Sequence, residues 1–266
     1  MDLTMLGTGH ALVTECYNTC FVISEDNKHL LVDGGGGNTI LRQLKIANIE
    51  LNEIHEIFVT HKHTDHLLGI IWVVRVICQR INQGKYEGVL KIYAHDEVLK
   101  LIRDMVEKLL LAREYALIDD RIKLVEVVDG QSMNIIGHKT TFFDIYSTKA
   151  KQFGFSMEIN KDEKLTCCGD EPFNEKERIY AVNSKWLLHE AFCLYSERDI
   201  YKPYEKHHST VKDACEIAEN LKVLNLLLYH TEDDNLLERK RRYIQEGKEY
   251  YYGNLMVPDD LETIVL

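Results

Sequence analysis

Positive charge is scarce in this chain. Lysine and arginine number 32 against 43 aspartates and glutamates, for a net charge of −11. Nucleic-acid binders usually carry a basic surplus, so an RNA or DNA partner is disfavoured, and only a local patch such as Lys149, Lys151, Lys202 and Lys206 could offset the balance. Proline is scarcer still: three residues in 266, with no Ser/Gly-rich linker, repeat or low-complexity tract. Nothing divides the chain, and residues 1–266 are read as a single domain with enough length to bury a sizeable core. No apolar run is long enough to span a bilayer, since the longest, Leu67 to Cys78, is interrupted by Arg75. The start is an apolar strand rather than a signal sequence. The seven cysteines form no pair with zinc-finger or CxxC spacing. An odd thiol count without a leader fits a reducing, cytoplasmic setting.

Against this background one segment is dense in chemistry. His61-Lys62-His63-Thr64-Asp65-His66 follows the β-branched and aromatic run Ile57-Phe58-Val59-Thr60. Side chains two apart in extended backbone point the same way, so His61 and His63 can grip one ion together. Asp65 and His66 fall where the chain should turn into a helix, which suits a second ion nearby. Imidazole and carboxylate at an open loop suit zinc, with manganese or iron as alternatives, one or two ions per chain, acting on water.

The surrounding pattern is strand and helix in alternation. Short strands are expected at Leu3–Leu6, Thr19–Ser24 and His29–Val32. A helix follows Gly37, with Ile40, Leu41, Leu44 and Ile46 inward, and a strand over Glu56–Thr60 leads to the histidines. A buried helix spans Leu67–Ile81, open to use as core or interface. One long helix follows the strand Val89–Ala94, over Glu97–Tyr115. Strands fill 122–166, a helix starts at Ser209 or Thr210 as N-cap, a strand runs over Val223–Leu228, and a charged helix covers Asn235–Gln245. Mixed strands with helices on both sides imply a layered α/β sandwich.

Further chemistry stands at strand ends. Asp33 precedes four glycines. Two readings apply to it: a phosphate cradle, although no Lys-Ser/Thr follows as a P-loop requires, or a carboxylate that orients a ligand histidine. Asp170 follows Gly169 after the apolar-polar run Lys164–Cys168, where a carboxylate could bridge two metals. His230 ends Leu226-Leu227-Leu228-Tyr229. His189-Glu190 ends Trp186-Leu187-Leu188. His208, ahead of a helix N-terminus, could donate or accept a proton.

Taken together these residues resemble the metallo-β-lactamase superfamily, and within it the ribonuclease Z-like branch. The features that carry the likeness are Leu6-Gly7-Thr8-Gly9, Asp33-Gly34-Gly35, the HxHxDH cluster, Gly169-Asp170, His189-Glu190-Ala191, His208-Ser209-Thr210 and Leu228-Tyr229-His230. The resemblance implies a four-layer αβ/βα sandwich of two mixed sheets flanked by helices, with a metal pair at one edge. It implies that His61 and His63 hold the first metal, that Asp65, His66 and His230 hold the second, and that Asp170 bridges them. Asp65 would help orient a water whose pKa the ions lower, and His208 would protonate the leaving oxygen, with Glu190 orienting His208.

Two departures narrow the expectation. Thr148 stands where the family supplies a further histidine to the first metal, a few residues before Gly154-Phe155. Only Phe155 to Gly169 is available before the bridging aspartate, where tRNA-maturing relatives commonly carry a protruding arm. The expected function is therefore a metal-dependent hydrolase of the phosphodiesterase type, acting on a small ester or phosphodiester. The alternatives are a ribonuclease Z-type tRNA 3′-processing endonuclease and a non-catalytic metal-binding or sensor protein. No membrane partner is expected; by analogy with the branch, a homodimer is.

Overall fold

The computed structural model describes all 266 residues. The chain order is β1 (Asp2–Gly7), β2 (Cys20–Glu25), β3 (Lys28–Val32), α1 (Thr39–Ile46), β4 (Ile54–Phe58), α2 (Thr64–Asn82), β5 (Leu90–Ala94), α3 (Asp96–Leu109), α4 (Ala112–Tyr115) and β6 (Ile122–Glu126). The second half holds β7 (Ser132–Ile135), β8 (His138–Asp144), β9 (Phe153–Asn160), β10 (Glu163–Cys167), α5 (Arg178–Ala181), β11 (Trp186–Glu190), α6 (Arg198–Tyr201), α7 (Val211–Asn220), β12 (Asn225–Tyr229), α8 (Leu236–Gly247), β13 (Asn254–Met256) and β14 (Thr263–Val265). The strands form two seven-stranded mixed sheets, in the orders β14-β1-β2-β3-β4-β5-β6 and β13-β12-β11-β10-β9-β8-β7, so that the C-terminal β14 returns to the edge of the first sheet.

Period-2 alternation explains how both faces of these strands come to be buried. In β2, Phe21 and Ile23 point into the layer between the sheets, while Cys20 and Val22 face the helices. Leu30 and Val32 of β3 likewise point inward and Leu31 outward. The second sheet answers with Phe155, Met157, Leu165, Leu188 and Leu227. Helices α1 to α3 cover the outside of the first sheet, and α7 and α8 cover the second. This is the four-layer αβ/βα sandwich. Each apolar side chain sealed in it contributes about 1.5–3 kcal/mol relative to exposure.

The parallel registers decide where chemistry can be placed. Strands β3, β4, β5 and β6 are parallel, with Val32 opposite Phe58 and Phe58 opposite Tyr93. Strands β10, β11, β12 and β13 are parallel too, with Cys167 opposite Leu188 and Glu190 opposite Tyr229. The carboxyl ends within each set therefore lie at one edge. Backbone links join the sheets there: the Phe153 N–H donates to Thr60 O, the Thr231 N–H to Thr8 O and the His10 N–H to Thr231 O, each at 3.0 Å.

Several expected elements shift. The helix expected over Glu97–Tyr115 is two helices, α3 and α4. Leu110 adopts extended backbone (φ −96°, ψ 162°) and turns into the core, and the Glu114 carboxylate then accepts the Leu111 N–H at 3.2 Å to start α4. Ile46 is 48% exposed, and Gln43 takes the buried place instead by donating Nε2–H to Leu6 O at 2.6 Å. The strand expected to run to Thr60 leaves the ladder after Phe58, because the Thr60 N–H turns to the Asp33 carboxylate at 2.8 Å. Thr210, not Ser209, caps α7, in a box with Asp213.

The glycines after Asp33 are used for packing. Helix α2 lies against this turn so closely that a Cβ on Gly69 would fall 1.7 Å from Gly34 O, and a Cβ on Gly34 would fall 2.5 Å from the Ile70 nitrogen. The Gly34 N–H donates to His66 O at 2.8 Å and the Gly69 N–H to Gly35 O at 2.9 Å. The Gly36 N–H donates to Asn18 Oδ1 at 3.1 Å. The Gly37 N–H donates to the Tyr17 hydroxyl oxygen at 3.4 Å, so three of the four glycine amides are occupied within the protein, which disfavours the phosphate-cradle reading. Gly69→Ala should force α2 away from the turn and destabilise the protein by at least about 2 kcal/mol. A urea melt unchanged from wild type would refute this account of the glycines.

Candidate metal centre

Asp33 is the hub of the site. It ends β3 with a left-handed backbone (φ 57°) and is buried. Its Oδ2 accepts from the Thr60 hydroxyl at 2.7 Å and from His66 Nδ1 at 2.7 Å. Thr60 Oγ1 has given its proton to Asp33, so at 2.9 Å it accepts from His61 Nδ1. One carboxylate thus fixes the tautomer of two histidines, one directly and one through a hydroxyl, and leaves Nε2 of each as the free donor atom. Burial works against a charged His66, but the carboxylates of Asp65 and Asp33 outweigh it and hold its pKa well above the usual value. A cation bound at His66 competes with that proton. His61 is held neutral, its pKa pushed well below the usual value by burial.

The first turn of α2 carries Asp65 and His66, and the ends of β10 and β12 bring Asp170 and His230 across from the second sheet. His66 Nε2 lies 3.4 Å from both Asp65 Oδ2 and Asp170 Oδ2. His230 Nε2 lies 3.6 Å from Asp65 Oδ2 and 3.4 Å from Asp170 Oδ2. Tetrahedral bonds of about 2.0–2.1 Å to one cation put ligand atoms roughly 3.3–3.5 Å apart. His66 Nε2, His230 Nε2 and Asp170 Oδ1 are also buried with no hydrogen-bond partner. Buried polar atoms are rarely left this way, and the two unpartnered histidine nitrogens, each 3.4 Å from Asp170 Oδ2, mark an ion site. The donors fit a divalent metal. His230 reaches the point by adopting φ 56°, a conformation that costs a non-glycine residue about 1 kcal/mol or more.

The other side is arranged differently. His61 Nε2 accepts from His63 Nδ1 at 2.8 Å, closer than two ligands of one ion sit, and lies 3.7 Å from Asp170 Oδ2. The Thr148 hydroxyl is turned to His207 Nδ1 at 2.8 Å. Of the residues singled out in the sequence, His61, His63, Asp65, His66, Asp170 and His230 come together at this one edge. His208 stands beside them, its ring 5.1 Å from that of His230. Glu190 and His189 end β11, but His189 turns towards Glu190 O at 2.7 Å and away from the donors.

His208 lies between an aromatic wall and a carboxyl. It stacks on Phe192 at 4.9 Å and 8°. Its Nδ1 is 3.6 Å from Glu190 Oε2, while Glu190 Oε1 accepts the Ser209 N–H. Burial pushes the His208 pKa down to about 4 and that of Glu190 up to about 8. A neutral His208 gains a proton most readily when negative charge arrives beside it.

Residues not foreseen also line the site. Thr60 relays Asp33 to His61. His10, whose pKa burial lowers to about 4, lies 4.5 Å from Phe192 and 6.3 Å from His230, ring to ring. Glu171, buried beside Asp170, accepts from Ser147 Oγ at 2.6 Å and from the Thr148 N–H at 3.0 Å. Of these only Glu171 had a signal in the sequence, its adjacency to Asp170.

Residues 1–250 match the family described as anti-Pycsar protein Apyc1. The chain belongs to that family. A curated relative, ribonuclease Z of Thermococcus sibiricus, is 24% identical over all of this chain and 96% of its own length; other archaeal relatives carry the same name. Among solved structures, the metallo-β-lactamase fold protein YhfI of Bacillus subtilis superposes with a TM-score of 0.81 at 16% identity, covering 99% of this chain and 98% of that one. A diphosphatase of the PhnP family gives 0.75 at 16% identity, with 99% and 96% covered. The Apyc1-family chain is thus a metallo-β-lactamase-fold, ribonuclease Z-like hydrolase, and no helix in it is long and apolar enough to cross a membrane.

Asp33→Asn would place an amide hydrogen against Thr60 or His66 and should weaken metal binding about 10- to 100-fold with the fold intact. Zinc titration with a competing chelator measures this, and an affinity equal to wild type would show that Asp33 does not organise the donors.

Proposed function

We propose that the protein is a metal-dependent phosphodiesterase acting on a small phosphodiester. The observation that carries the reading is the convergence of buried, unpartnered His66, His230 and Asp170 atoms from two sheets beside His208. Asp65, His66, His230 and Asp170 would hold one divalent ion, zinc by donor type with manganese or iron as alternatives, and His61 and His63, with Asp170, a second and weaker one. A bound ion supplies Lewis acidity at a phosphoryl oxygen and lowers the pKa of water towards neutrality. Asp65 orients the attacking water and accepts its proton. Negative charge building at the departing oxygen favours uptake of a proton from solvent by the neutral His208; His208 then passes that proton to the oxygen, and Glu190 steadies the far edge of its ring.

The size of the substrate is supported by three features. The turn between β9 and β10 is only Lys161-Asp162, too short for a protruding RNA-binding arm. The chain is acidic. Three of the four lysines that could form a basic patch face other groups: Lys151 lies 2.5 Å from Asp96, Lys202 4.0 Å from Asp199, and Lys206 sits over the Phe192 ring at 4.9 Å. The ribonuclease Z name of the curated relatives favours a second reading, cleavage of tRNA precursors at their 3′ ends. All seven cysteines are free thiols, which supports a reducing compartment, the cytosol.

The test is turnover by zinc- or manganese-loaded protein across linear and cyclic phosphodiesters, lactones, thioesters and a tRNA precursor. Hydrolysis of small phosphodiesters is expected, falling to background in His63→Ala and Asp65→Ala. His208→Ala should lower kcat about 10²- to 10⁴-fold. Preference for the tRNA precursor, with binding that falls steeply with salt, would select the second reading. Inactivity on every substrate would sink both.

A further inference from the structure

The turn between β8 and β9 departs from the family pattern at Thr148, and the structure shows what stands there instead. Glu171 clamps the turn by accepting from Ser147 Oγ and the Thr148 N–H. Ser147 Oγ in turn accepts the N–H groups of Lys149 and Ala150, each at 3.2 Å. With Thr148 turned to His207, the next residue is carried into the site. Lys149 Nζ donates to His208 Nε2 at 3.3 Å and lies 3.8 Å from Glu171 Oε1. Its side chain is only 24% exposed. It therefore lies between the Asp170–Glu171 turn and the proposed proton donor.

An ammonium has three donors and no acceptor. Here one points to a neutral imidazole, and the single nearby carboxylate is beyond hydrogen-bond distance and already accepts from Ser147 and Thr148. A largely enclosed cation with donor capacity to spare, beside a nucleophile-generating centre, suits an anionic oxygen.

We propose that Lys149 is a substrate-binding residue that grips a non-bridging oxygen of the phosphoryl group, supplying at the Thr148 turn the positive charge that an incompletely liganded first metal provides weakly. This inference rests on the phosphodiesterase reading. It makes the centre a hybrid: a metal held by Asp65, His66, His230 and Asp170 on one side, and the Lys149 ammonium on the other. The same ammonium sits next to His208, so an oxygen bound by Lys149 places the leaving group within reach of the donor ring.

The experiment is calorimetric titration of zinc-loaded protein with inorganic phosphate, alongside steady-state kinetics on the best phosphodiester. Lys149→Met and Lys149→Gln should each raise the phosphate Kd and the substrate KM by about tenfold or more, as expected for loss of a charge-assisted hydrogen bond. Lys149→Arg should recover most of the affinity, Lys161→Met on the exposed β9–β10 turn should match wild type, and zinc content should stay constant in all. Phosphate affinity within twofold of wild type in both neutral variants would overturn the inference. So would affinity lost only together with zinc, or no phosphate binding by the wild-type protein. If phosphate binding depends on Lys149 while no phosphodiester is cleaved, the proposed function fails and the inference stands. If cleavage is robust and indifferent to Lys149, the reverse holds.

Discussion

One buried carboxylate holds the edge of this sandwich in register. Asp33 receives the Thr60 N–H, the Thr60 hydroxyl and His66 Nδ1, and so ties the end of β3 to the end of β4 and the first turn of α2. An ionised carboxylate is tolerated in such a place only when its oxygens are fully hydrogen-bonded. That requirement propagates outward. It pulls Thr60 out of the β4 ladder, aims His61 through the Thr60 hydroxyl, and demands that α2 start against the glycine turn, where Gly34 and Gly69 touch backbone to backbone. The donor set is thus a by-product of satisfying one charge. This explains why glycine follows Asp33 at position 34, where α2 leaves no room for a side chain.

The second sheet contributes through the same logic of unsatisfied groups. His230 takes a left-handed backbone, and its Nε2 approaches Asp65 and Asp170 without bonding either. Strain and desolvation of this kind persist only where surrounding structure fixes them. Here the fixing comes from the adjoining Thr231–Thr8 backbone bond, which locks the end of β12 to the loop after β1. The two halves of the chain each bury their own helices, yet neither half alone assembles the set His66, His230 and Asp170.

What could be read from the sequence divides along physical lines. The HxHxDH segment was legible because its donors are contiguous and sit at a strand end, where alternation and the onset of α2 set their directions. Strands with period-2 alternation and both faces apolar were legible within a residue or two. The break between α3 and α4 was not, since no glycine or proline marks it; Leu110 leaves the helix because the core beneath receives its side chain, a tertiary preference that local propensity does not encode. Thr60, His10 and Phe192 were equally silent. Each is an ordinary residue in sequence: Thr60 acquires its role when the ends of β3 and β4 meet at Asp33, and His10 and Phe192 theirs when the β1 loop and the β11–α7 connection fold over the centre.

Lys149 shows the same limit from another side. As one lysine in an acidic chain it reads as a solvated charge or a weak RNA contact. Its meaning depends on Glu171, which is adjacent to Asp170 in sequence but 22 residues beyond Lys149, and which spends its hydrogen bonds on the Ser147–Thr148 backbone turn rather than on the ammonium. Glu171 forms an ion pair with Lys149 at 3.8 Å but no hydrogen bond to it. Because its oxygens accept from Ser147 and Thr148 instead, the ammonium keeps its hydrogen-bond donors for His208 and the site beside it. The departure at Thr148 is therefore better understood as a redistribution of positive charge within the centre than as decay of it.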